Sequence, residues 1–154
     1  MVNLDNKITI EQLSENIISV DLTILLADSF SYKTKLIKEL NNTHKGKILA
    51  LTSEDGLSLI NWIKTPQPEE NRLLILDQTS KICNPIYLQN VIKKHKIKLV
   101  LITTLSAFAT PEYLDLLSSE YHTAEMYIWD EKPNLVIHKL NVQETYDRFK
   151  HLIK

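Results

Sequence analysis

The stretch LLADSFSYKTKLIKEL, residues 25–40, passes from an apolar run through a polar loop into an amphipathic pattern. Read with the residues before it, LTILLA (22–27) is continuously apolar and of strand length. That is the pattern of a strand covered on both faces. Beyond the loop, SYKTKLIKELNN turns Leu36, Ile37 and Leu40 inward and its lysines outward, as a helix does. Strand, loop and helix in this order are one half of a parallel α/β unit, so the fold turns on whether the alternation continues.

It continues. Upstream, Ile10, Leu13, Ile17 and Ile18 recur at helical spacing in ITIEQLSENII (8–18), with Thr9 as cap and Gln12 three residues on. Downstream, HKGK with Gly46 supplies a helix stop. KILALT (47–52), RLLILD (72–77) and KLVLITT (98–104) are further strands. They alternate with the helical segments EDGLSLINWIK, PIYLQNVIKKHK and TPEYLDLLSSEY. AEMYIWD and NLVIHKL, split by EKP, read as an antiparallel hairpin, and NVQETYDRFKHLIK as a closing helix. The expectation is a single three-layer α/β domain: a mainly parallel sheet with helices on both faces and a C-terminal antiparallel hairpin. Residues 1–20 form its leading helix, 21–142 its core and 143–154 its last helix.

With 154 residues, one domain can bury roughly two-thirds of the surface of its unfolded chain. A net charge of −1 gives no general attraction to nucleic acid or anionic lipid, so such binding needs a local basic patch. KKHKIK is the densest one, making Lys93, Lys94, Lys96 and Lys98 the candidate phosphate-backbone contacts. The single cysteine, Cys83, cannot form an intrachain disulfide. No apolar run approaches the roughly 20 residues of a membrane span, and MVNLDNKITIEQL lacks a signal-peptide layout. These features predict an intracellular protein, of cytoplasm or nucleus, without membrane contact. The five histidines have no zinc-ligand spacing, and no G-x-S-x-G elbow occurs, so neither a metal nor a hydrolase triad is expected.

Ligands of open α/β sheets sit beyond the carboxyl ends of the strands. Those ends read ADSFSYKT, TSED, LDQTS and ITTLS, with carboxylates at Asp28, Glu54, Asp55 and Asp77. The first resembles the phosphate-binding pattern G-x-x-x-x-G-K-T, with Lys33 and Thr34 in place but Ala27 and Tyr32 for the glycines. The whole succession resembles a RecA-like P-loop ATPase core of the RecA, KaiC and Elongator-subunit kind. The second strand runs into Ser-Glu (TSED), the third ends in Asp (RLLILDQTS), the fourth in Thr-Thr, and TAEMYIWDEKPNLVIHKLN is similar to the family's closing hairpin. The resemblance implies remnant nucleotide-site positions at Lys33, Thr34, Glu54 and Asp77. A phosphate cradle needs backbone N–H groups turned to the anion at glycines. Tyr32 brings a β-carbon and a phenol to that position, and Asp28 a negative charge. A degenerate member follows: no catalytic residue, no cofactor, and a structural or regulatory role as a subunit with protein partners, in a homo- or hetero-oligomer associated with DNA or RNA.

A second resemblance is to the receiver domain of response regulators. TILLADS is similar to its first strand, EDGLSLINWI to its second helix, LLILDQ to its phospho-accepting strand and Lys132-Pro133 to its Lys-Pro signature. This implies magnesium at Asp28, phosphorylation of Asp77, a switch hydroxyl at Thr103 or Thr104, and Lys132 on the phosphate. A small nucleotide-binding ATPase using Lys33, Thr34, Glu54 and Asp77 is a third reading. The aromatics Trp62, Tyr87, Tyr113, Tyr121, Tyr127 and Trp129 are candidates for a partner surface.

Overall fold

The computed structural model describes residues 7–44, 47–52, 72–78, 97–104 and 123–152. Among them the elements are β1 (Lys7–Ile8), α1 (Ile10–Ser19), β2 (Leu22–Leu26), α2 (Lys33–Thr43), β3 (Lys47–Thr52), β4 (Arg72–Gln78), β5 (Lys98–Thr103), β6 (Ala124–Asp130), β7 (Val136–Leu140) and α3 (Val142–Leu152). The strands form one mixed sheet in the order β1-β7-β6-β2-β5-β4-β3. β3, β4, β5, β2 and β6 run parallel, while β7 is antiparallel to β6 and β1 to β7. The α/β class and the terminal hairpin were therefore readable from pattern. β1 was not expected, because two residues carry no period and their partner strand lies at the other end of the chain.

All five residues of β2 are buried, and so are the last five of β5. On one face Leu25, Ala27, Leu73, Ile75, Val100, Ile102, Tyr127, Trp129 and Ile137 share a core with Ile10, Leu13 and Ile17 of α1 and Leu36 and Leu40 of α2. On the other face Leu22, Ile24, Leu74, Leu99, Leu101 and Met126 are buried as well. Continuous apolar runs are what burial of both sides requires.

α1 begins with the expected capping box. The Gln12 N–H donates to Thr9 Oγ1 at 3.1 Å, and the Thr9 N–H donates to Gln12 Oε1 at 2.9 Å. Its buried stripe of Ile10, Leu13, Ser14 and Ile17 packs beside α2, where the Thr43 hydroxyl reaches Ser14 Oγ at 3.3 Å. α2 starts one residue after Tyr32, a cap position with no side-chain cap bond, and ends at His44, whose N–H donates to the Leu40 carbonyl. Gly46 and the three helical segments expected between β3 and β6 lie outside the described residues.

Two sequence readings are corrected. A receiver domain has strand order 2-1-3-4-5, which puts its first and third strands side by side so that their acids converge. Here β5 lies between β2 and β4. Asp77 in β4 is thus separated from the β2 end that carries Asp28 by two strand spacings, about 10 Å. Tyr127 and Trp129 are not partner-surface aromatics, because they are 0% and 2% exposed. β6 is paired on both sides, and both rings face the α1–α2 core. The other candidate aromatics fall outside the described residues.

Candidate functional site

The carboxyl edge of the sheet gathers the segments that sequence reasoning singled out. Leu26, the last residue of β2, is in register with Thr103 of β5 and Ile128 of β6. Thr103 pairs with Gln78, and Asp77 with Thr52. The loop after β2, the Asp77 end of β4, Thr104 and the last residues of β6 therefore open on one side of the sheet. Lys33 is the first residue of α2 and half-buried, and Thr34 is exposed. Asp77 lies two strands away, in the rung of Leu25 and Ile102. Glu54, Lys93, Lys94 and Lys96 lie outside the described residues.

Lys98 is the first residue of β5, at the opposite edge, with Nζ at 3.5 Å from the Val20 carbonyl. A six-residue strand separates it from the loop edge by roughly 17–20 Å. It belongs to the amino-end rim, where the Asp21 carboxylate accepts from the Thr123 N–H at 3.0 Å.

The loop's own polar groups converge on a residue that sequence reasoning missed. Glu131 stands one position past β6 and aims its carboxylate at residues 29–32. Its Oε1 accepts from the Ser31 N–H at 2.8 Å, the Tyr32 N–H at 3.3 Å and the Trp129 indole N–H at 2.9 Å. Its Oε2 accepts from the Ser29 hydroxyl at 2.8 Å and the Ser31 hydroxyl at 2.7 Å. Five donors thus serve one carboxylate. Phe30, between the two serines, turns the other way and meets Trp129 edge-on, with ring centroids 5.1 Å apart. The alternation S-F-S sends hydroxyls to the acid and a ring to the core.

Electrostatics follow the geometry. Partial burial alone would raise the Glu131 pKa. The hydrogen bonds from Trp129, Ser31 and Ser29 outweigh it and bring the carboxyl down to about 2, so it is ionised at neutral pH. The backbone at Tyr32 has φ −88° and ψ 23°. A side chain is tolerated there without strain, so the glycine requirement of a phosphate cradle does not arise in this loop. The Ser31 and Tyr32 N–H groups both face Glu131.

An acid–phenol contact lies elsewhere on β6. The Tyr127 hydroxyl donates to Glu125, which also pairs with Lys139 of β7 at 3.4 Å. Burial, followed by the Glu125 hydrogen bond, pushes the Tyr127 phenol well above its ordinary range. Its place beneath α1 makes it a packing element rather than part of the edge site.

Among the described residues no group of three His, Cys, Asp or Glu side chains is placed to hold a metal ion, and no helix is long and apolar enough to cross a membrane. No protein-family model, curated protein or solved structure matches the chain.

Proposed function

We propose that this chain is a non-hydrolytic α/β domain of RecA-like kind, acting as a structural or regulatory subunit of a larger assembly. The observation that carries this reading is the occupation of the β2–α2 loop by Glu131, which takes the N–H groups a triphosphate would need. The strand order supports it too. β5, which ends at Thr103, lies between β2, which leads into Lys33-Thr34, and β4, which carries Asp77. The partners are proteins, in a homo- or hetero-oligomer, and the assembly's association with DNA or RNA follows from the resemblance alone.

Thermal stability measured with Mg-ATP, Mg-ADP and beryllofluoride plus magnesium tests the reading. No shift with any of the three is expected. A shift with Mg-ATP that Lys33→Ala abolishes would show a nucleotide-using enzyme, and a shift with beryllofluoride alone a phosphorylated receiver. Affinity capture of the full chain from its own cells then identifies the partners that a scaffold must have.

A further inference from the structure

We propose that β3 is a self-association edge: two copies of this chain pair their β3 strands antiparallel about a two-fold axis at Ala50, joining two sheets into one. The inference rests on the reading of the chain as a subunit of an oligomer, and it names the partner and the surface.

The two edges of the sheet differ. At one edge β1 is only two residues long, Lys7–Ile8, and a very short edge strand is a device that blunts pairing. At the other edge β3 runs for six residues, Lys47–Thr52, and among the described residues β4 is its one hydrogen-bonded neighbour. In a parallel ladder alternate residues turn both N–H and C=O to the neighbouring strand, so roughly half of the β3 backbone groups point outward. The strand carries none of the usual guards. ILALTS, residues 48–53, contains no proline, glycine or charge. An edge of that kind is a template for a further strand.

The sequence around β3 says which strand. KGKILALTSED, residues 45–55, is basic before the apolar run and acidic after it. Turned antiparallel against a second copy, it is complementary at both ends. A parallel alignment in register would set like charges side by side, which is unfavourable. Outward-pointing residues pair only with outward-pointing residues, so the axis of a symmetric pair passes through a residue and not between two. With the axis at Ala50, Ile48 of each copy comes opposite Thr52 of the other. Lys45 and Asp55 lie outside the described residues and enter by their place in the sequence. Carried past the strand ends, the same register sets Lys45 opposite Asp55, with Lys47 diagonal to that acid, and the two-fold repeats both contacts. The axis residue is also the smallest of the strand.

Sedimentation equilibrium on the full chain over a concentration series tests the proposal. Wild type should rise from 17.8 kDa toward twice that mass, because one strand pairing is too small an interface to survive high dilution. Hydrogen exchange at the amides of residues 48–51 should slow over the same series. Asp55→Lys should weaken the dimer at least about fivefold, and adding Lys45→Asp should restore it. In a Cys83→Ser background, Ala50→Cys should give a disulfide-linked dimer with oxidised glutathione, since facing residues of an antiparallel pair lie within disulfide reach. Ile48→Cys, displaced from the axis, should not. Circular dichroism checks that each variant folds, and the exchange and charge-swap data decide if a cysteine variant does not. The proposal is overturned if wild type stays monomeric at every concentration, if the charge reversal leaves the dimer unchanged, or if Ile48→Cys cross-links in place of Ala50→Cys. A monomeric chain that still captures other proteins from its own cells would overturn this proposal and leave the subunit reading standing. Stabilisation by Mg-ATP would sink that reading with the dimer untouched, so the two failures are distinguishable.

Discussion

Replacing Glu131 by glutamine removes one charge while keeping shape and one acceptor oxygen, which isolates what the anion contributes. A hydrogen bond to a charged group contributes roughly 1.5–3 kcal/mol net when buried. The serine and main-chain donors border solvent and recover much of this from water, so only the indole N–H of Trp129 counts nearly in full. With that screening, Glu131→Gln should cost about 1–2 kcal/mol near neutral pH. For a chain of this size that lowers the melting temperature by roughly 2–8 °C.

The pH dependence fixes the cause. The folded carboxyl, at about 2, lies below its ordinary 4.5. A depressed acid contributes stability that is present above the unfolded value and lost as pH falls through the folded one. The difference between wild type and Glu131→Gln should therefore be constant from neutral pH down to about 5 and shrink toward zero as pH approaches about 2. Urea denaturation followed by circular dichroism at several pH values measures it. A difference that stays the same across that range, or one below about 0.5 kcal/mol throughout, would refute the ionic role given to Glu131.

Further expectations concern neighbouring contacts. Trp129→Phe keeps the ring against Phe30 but removes the indole donor, so a double-mutant cycle with Glu131→Gln should give a coupling of about 0.5–2 kcal/mol; additivity would mean that the two do not interact. Thr9→Ala should cost about 1 kcal/mol by deleting the α1 cap, readable in urea midpoints and without effect on any ligand response. Leu25→Ala, at a fully buried position in β2, should cost roughly 2–5 kcal/mol in the same assay. The Tyr127 phenol is raised in the folded state, so its contribution holds below about pH 10 and declines as pH rises further. Wild type should lose stability relative to Tyr127→Phe in strong alkali, which denaturation at rising pH reads.

β2, β3, β4 and β5 were legible because each is a mainly apolar run, as burial of both sheet faces demands, whereas β6, parallel to β2, was read only as half of the hairpin. The start of α1 was legible because Thr9 and Gln12 form a local box that the spacing specifies, whereas its end at Ser19 and the strand at Lys7–Ile8 were not. The site was legible only in half. The loop 27–34 drew attention through Lys33 and Thr34, yet its chemistry depends on Glu131, whose contacts bridge about 100 positions of sequence. Its signal in the sequence was only an acid just past the AEMYIWD strand. It was passed over because the hairpin strands were read as a closing element and their ends were not counted with the parallel ones. Tyr127 and Trp129 misled for a related reason. In AEMYIWD, Met126, Tyr127 and Trp129 are all buried, so the clean inside–outside alternation of a one-faced hairpin does not hold.

The most direct measurement is a calorimetric titration of Mg-ATP into the wild-type chain at millimolar nucleotide. With Glu131 holding the Ser31 and Tyr32 N–H groups, the expected trace is the heat of dilution alone. A saturable heat that disappears in Lys33→Ala would contradict the internal occupation of the loop and make this chain a nucleotide-binding protein.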